Sequence, residues 1–294
     1  MRTWRRLLGS ALAVVVLAGC SDADPEDDPT SGSNASESGA DSGSEETAGT
    51  AGTAGTPETT EPTAPTRPPL THYRPNPAEV DVAAKRVAAR AVEDLPEVRQ
   101  VTYTQYFGYL PPSASILVEA DFAEGGGTTY DVRIGQDGSS WRVDSITPAD
   151  PPTPLKEPGP LIRRVLESDR IALPWAGRDD VAAGRVDDEV LRSMLAVAAQ
   201  HRITVSVLIS AHPVLVFGTD RRSRHPDGFA YDVGSIDGKL VVDPGTARLV
   251  RQVMELATST GADQVGGPVD LDGGGSQYFS DLTHSDHVHV GFDG

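Results

Sequence analysis

Cysteine occurs once in the 294 residues, at Cys20, so the chain has no internal disulfide to rely on. Positive charge is scarce as well: 25 Lys and Arg stand against 43 Asp and Glu, for a formal net charge of −18, and no basic stripe appears anywhere. That argues against a nucleic-acid partner. Large apolar side chains are almost missing from Ser21 to about Pro69, a stretch built of Ser, Gly, Thr, Ala, Pro, Asp and Glu. Such a segment cannot bury enough surface to offset its ordering entropy. The triplet AGT, recurring at Ala48, Ala51 and Ala54, fits a spacer rather than a structural repeat. Eleven acidic residues fall before Arg67, so much of the charge says little about any active surface.

What is there begins with Arg2, Arg5 and Arg6 ahead of an apolar run from Leu7 to Leu17 that is too short to span a bilayer, the pattern of an export signal. Its end, Leu17-Ala18-Gly19-Cys20, resembles the lipobox of bacterial lipoproteins. The resemblance implies lipidation of Cys20, removal of residues 1–20 and an extracytoplasmic chain anchored to the membrane surface without a spanning helix. Residues 21–72 then read as an acidic disordered linker. The five prolines between Asp150 and Pro160 read as a stiff linker, which separates a small domain at 73–149 from a larger one at 161–294.

In the small domain, Val80, Val82, Ala83, Val87, Ala88, Ala91 and Val92 predict an amphipathic helix over about 78–95, ended by Pro96. Four β-rich stretches follow: VTYTQYFGYL, ASILVEADF, TTYDVRIG and WRVDSIT. A helix followed by a curled antiparallel sheet resembles small NTF2-like domains in outline. That outline transfers no active site, and it suits a spacer or a self-association module. In the larger part, helices over about 188–201 and 246–260 alternate with the strands ITVSVLIS, KLVVD and HVHVGF. The expected class is α+β, an antiparallel sheet with flanking helices.

Histidines concentrate near the end of the chain: His284, His287 and His289 lie in the last eleven residues, and His225 sits beside Pro226-Asp227-Gly228. Histidine is the commonest zinc ligand, and a catalytic zinc takes three protein ligands and keeps one position open. Alternation along GFAYDV puts Phe229, Tyr231 and Val233 on one face and Ala230 and Asp232 on the other. The Pro-Asp-Gly turn lets His225 fold back toward Asp232. In the closing strand His287 and His289 share a face, with Asp286 on the opposite one.

Ser223, His225, Gly228, Ala230 and Asp232 reproduce the SxHxxGxAxD pattern of the zinc D-alanyl-D-alanine peptidases, and Asp286-His287-Val288-His289 stands where that family has its terminal histidine motif. The order of motifs also resembles the hedgehog amino-terminal domain and exported actinobacterial proteins of the same superfamily. The likeness covers roughly residues 165–294. It implies Zn2+ held by His225, Asp232 and His289, and hydrolysis of peptide bonds in peptidoglycan stem peptides or cross-bridges. It also implies a proton-transfer group, either His287 or Asp286, the latter standing where ExxH members carry a glutamate. Ser223 would support a ligand or the substrate.

Further candidates for the cleft are His212 and His284, and Arg221 and Arg222 could take a substrate carboxylate. Asp270, Asp272 and Gly273-Gly274-Gly275 lack the spacing of an EF-hand loop and read as a surface loop. Without the family's glutamate, a second reading stands beside the peptidase: a metal-binding scaffold of the cell envelope with weak or no catalysis.

Overall fold

A computed structural model describes residues 71–294; the expected export signal, Cys20 and nearly all of the expected acidic linker lie outside the described residues. The chain from Pro65 onward makes one compact unit. It is α+β, with two sheets.

The first half is α1 (Val82–Glu93) followed by four strands: β1 (Val98–Leu110), β2 (Ser113–Phe122), β3 (Gly127–Asp137) and β4 (Ser140–Pro148). The strands pair in chain order as an antiparallel meander, so β1 is an edge. Helix α1 starts at Asp81, whose side chain accepts the Ala84 N–H, an N-cap that satisfies one of the free donors of the first turn. It buries Ala84, Ala88, Ala89 and Val92 at helical spacing against Tyr106, Ile116, Val118, Val132 and Ile134 of the sheet. Lys85 is on the same face and fully buried. A charge there needs partners, and one of them, Asp286, comes from the other half of the molecule.

The second half adds α2 (Pro160–Leu166), β5 (Ile171–Ala172), α3 (Trp175–Ala182), α4 (Asp188–Ala198), β6 (Ile203–Val207), β7 (Ala230–Ile236), β8 (Lys239–Leu240), α5 (Ala247–Ser259), β9 (Gln264–Gly266), β10 (Tyr278–Phe279) and β11 (Val288–Gly291). Its sheet runs β10-β9-β11-β7-β6-β5, with β8 paired to β7. The sheet is mixed rather than purely antiparallel, because β5 runs parallel to β6 and β10 parallel to β9. Helices α4 and α5 bury Val190, Leu191, Met194, Val250, Val253 and Met254 against Val205, Tyr231, Val233, Val288 and Val290. Of the strand predicted over KLVVD only Lys239–Leu240 pairs, since Asp243 leaves the sheet to cap the turn that starts α5.

The two halves meet along β1. Side chains alternate across a strand, so Tyr106 points into the α1 core while Phe107 packs with Leu117 and Val207 of β6. The exposed N–H groups of an edge strand invite pairing. Here two of them are taken by side chains of the second half: Tyr106 N–H donates to Asp286 Oδ2 at 2.9 Å and Tyr109 N–H to Thr283 Oγ1 at 3.1 Å. Gly234 on β7 has no Cβ to obstruct the Tyr103 ring, which would lie 2.6 Å from such an atom. Tyr103 Oη then donates to the Asp286 carbonyl at 3.2 Å.

Candidate metal centre

Three ligands arrive from three places. His225 opens a short 3-10 turn, His225–Asp227, that Gly228 closes at φ 83°. A Cβ on Gly228 would strike the Arg185 carbonyl, so this turn requires glycine on both counts. Asp232 is on β7, and alternation puts Tyr231 and Val233 in the apolar core and Asp232 on the opposite side, as the sequence pattern predicts. His289 is on β11, directly across the antiparallel ladder from Asp232. Opposed residues on paired strands have adjacent side chains, so register alone brings this pair together.

The donor atoms form a small triangle. His225 Nε2 lies 3.1 Å from Asp232 Oδ1 and 3.1 Å from His289 Nδ1, and His289 Nδ1 lies 3.0 Å from Asp232 Oδ1. All three residues are buried, and among the described residues they are the one histidine-carboxylate group placed to hold a metal ion. The His225 ring is oriented by its other nitrogen, Nδ1, which donates to the Leu208 carbonyl at 2.7 Å. Nε2 is then the nitrogen that faces the Asp232 carboxylate and is placed to ligate a cation between them. Burial pushes the Asp232 carboxyl upward, but His225 and His287 outweigh it and hold the group well below the ordinary carboxylate range. Burial lowers the His289 imidazole to about 4, which keeps it unprotonated at neutral pH as ligation requires.

Around the triangle lies a chain of buried charge. His287 Nε2 is 3.7 Å from Asp232 Oδ2, and its Nδ1 is 2.6 Å from Asp286 Oδ1. Asp286 Oδ2 is 2.6 Å from Lys85 Nζ, which also reaches Glu79 Oε1 at 2.7 Å and donates to the Thr104 carbonyl at 3.0 Å. One ammonium thus serves two carboxylates. Glu79, burdened by burial and by the Asp286 charge, is pushed up to about 7, whereas Lys85 and His287 overcome burial to hold Asp286 low. Burial works to lower His287, but Asp232 and Asp286 prevail and raise it.

The triangle opens into a cleft of about 850 Å³. Five of the seven histidines line it: His212, His225, His284, His287 and His289. His212 stacks on His225 with ring centroids 4.2 Å apart, and its Nδ1 donates to the Pro213 carbonyl at 2.7 Å. His284 is 5.0 Å from the His287 ring, its Nδ1 2.8 Å from Asp281 Oδ1. Ser223 is buried and accepts the His225 N–H at 3.4 Å, so it supports the ligand turn from behind. Arg222 is engaged outside, in a bidentate pair with Asp227 at 2.7 and 2.6 Å. Arg221 is exposed at the cleft and faces no carboxylate among the described residues. The Asp270 and Asp272 carboxylates are taken up by N–H groups of their own loop, including those of Gly273, Gly274 and Gly275.

Sequence reasoning missed Glu79, Lys85 and Gln105. The signal that could have found Lys85 is its position on the alanine face of α1, between Ala84, Ala88 and Ala89. Comparisons of the chain with protein-family models, with curated proteins and with solved structures each find no match.

Proposed function

We propose that the protein is a zinc peptidase acting on peptidoglycan stem peptides or cross-bridges, held at the outer face of a membrane by lipid on Cys20. The observation that carries this reading is the buried His225, Asp232 and His289 triangle at the floor of an open cleft, with His287 beside it. The donor set fits zinc: a tetrahedral ion with ligands about 2.0 Å away sets them about 3.3 Å apart, close to the 3.0–3.1 Å separations here. Two imidazoles and one carboxylate, with no thiolate, would leave a bound zinc with a position not taken by the protein, and all three residues line the cleft. A closed structural site would use four protein ligands.

His225 Nε2, Asp232 Oδ1 and His289 Nδ1 would hold the ion. Zinc, when bound, supplies a nucleophile at neutral pH and polarises the scissile carbonyl. The rest falls to this chain's own groups. His287 moves the proton at Nε2, the nitrogen that faces the site, because Nδ1 is committed to Asp286. A general acid must reach the leaving amine with its proton in place, and the carboxylates around His287 favour its protonated form. Asp286 has both oxygens occupied, by His287 on one side and by Lys85 and the Tyr106 N–H on the other. That makes it the group that orients His287 rather than the base itself. Arg221, at the rim and free of a carboxylate, is the cation available to a peptide's terminal carboxylate.

The test is incubation of the zinc-loaded chain with stem pentapeptides ending in D-Ala-D-Ala and with cross-linked dimers, read by mass spectrometry. Cleavage by the native protein, with a loss of at least about 100-fold in His287→Ala at unchanged metal content, is the expected result. Full metal content with no cleavage of either substrate would overturn the peptidase reading in favour of a metal-binding scaffold of the cell envelope.

A further inference from the structure

We propose that the amino-terminal sheet is a working wall of the metal centre, with Gln105 of β1 as the residue that positions the ligand Asp232. This rests on the reading of His225, Asp232 and His289 as metal ligands, but concerns a part of the chain to which that reading assigns nothing.

Gln105 is 2% exposed, and it sits on the face of β1 that meets β6 and β7 rather than the face that meets α1. Its Nε2 donates to Asp232 Oδ2 at 2.6 Å. Its Oε1 accepts from Ser206 Oγ of β6 at 2.5 Å. The carboxylate decides which way the amide lies: it only accepts, so the NH2 faces Asp232, and the Ser206 hydroxyl then donates to the amide oxygen and anchors it. The two oxygens of Asp232 are thereby divided. Oδ1 belongs to the triangle with His225 and His289, and Oδ2 is held back by the amide. A buried carboxylate without that donor could swing its second oxygen toward the ion or rotate Oδ1 out of the triangle.

Holding a ligating carboxylate by hydrogen bonds from behind is a general device of metal sites, and losing such a partner costs roughly 10–100-fold in metal affinity. The usual expectation is that the partner comes from the same fold unit as the ligand. Here it crosses from a sheet whose own core is separate. The small amino-terminal part therefore has a part in the site itself: without it Asp232 lacks a partner on Oδ2, and Asp286 lacks the Lys85 that neutralises it.

The experiment compares zinc affinity of the full chain, by competition with a chromogenic chelator, for the native protein and for Gln105→Leu, Ser206→Ala and Ile134→Val. Cobalt-substituted spectra are recorded on each. Gln105→Leu keeps the volume and removes the donor; it is expected to weaken metal binding by about 10–100-fold and to alter the cobalt d–d bands as coordination by Asp232 changes. Ser206→Ala, which removes the donor that anchors the amide oxygen, should show a smaller change in the same direction. Ile134→Val, in the core of the same sheet, should lower the melting temperature and leave affinity and spectrum as they were. Should Gln105→Leu fail to fold, Ser206→Ala decides alone. Native affinity and native spectrum in a folded Gln105→Leu, or in Ser206→Ala where it decides, would overturn the proposal while the metal site stands. A native protein that binds no metal would overturn both.

Discussion

The two sheets differ in regularity. Strands of the first are 13, 10, 11 and 9 residues long and pair with their neighbours in sequence, whereas those of the second run from 2 to 7 residues and, apart from the β7–β8 hairpin, pair across longer connections. A long meander with one apolar face specifies its own register. Short strands joined by loops leave backbone and side chains free to converge, and all three metal ligands come from that second half. The cost of such a site is a set of buried polar groups that the short strands cannot satisfy. Lys85 and Gln105 of the regular half satisfy them. The comparison teaches that one half carries the candidate metal centre and the other satisfies the buried polar groups around it.

If so, the largest effect of a single change should come from the charge that joins the halves. Replacing Lys85 by Met leaves Asp286 and Glu79 buried without their cation, and removing one partner from such a group costs about 3–5 kcal/mol. Urea denaturation should show that loss as one transition for the whole of residues 71–294. Two separate transitions would break the comparison.

Next is Gly228→Ala. It forces a side chain onto a residue at φ 83° and against the Arg185 carbonyl, for a loss of about 1–3 kcal/mol. Zinc affinity should fall with it, because this turn aims His225. Stability lost with affinity unchanged would mean that the turn does not position the ligand.

Glu79 gives a pH-dependent effect. Its carboxyl is raised from the ordinary 4.5 to about 7, so the folded state favours the protonated form. That contribution is fully present below pH 4.5 and is lost as pH rises through 7. Glu79→Gln imitates the protonated acid. Its stability should match the native protein near pH 4.5 and exceed it near pH 8 in parallel thermal scans. Curves that stay parallel across that range would count against a raised Glu79.

At the small end, Arg222→Ala removes a pair that lies in solvent, where screening leaves little net attraction. Melting temperature and metal content should not change measurably.

Much of the chemistry is legible in the sequence. His225, Asp232 and His289 follow from a motif and from strand alternation, both local patterns, and the structure brings them within 3.1 Å of one another. The long elements α1, α4, α5 and β1 to β4 are legible for the same reason. The short ones are not: α2 and α3 span 7 and 8 residues, too little for a helical period to stand out. Nor is the partnership between the halves. Gln105 in VTYTQYFGYL reads as an ordinary polar residue of a half-exposed strand, and only the packing of β1 on β6 and β7 makes it a buried one. Asp286 looks like a candidate base when read beside His287 and His289, but both of its oxygens are engaged once Lys85 is seen against it.

The most direct test of a single metal centre built by both halves is the metal content of the full chain, purified without chelator and dialysed, beside His225→Ala and Asp232→Ala. The account predicts near-stoichiometric zinc in the native protein and its loss in both variants. A native protein that takes up no metal when zinc is offered near neutral pH would contradict it.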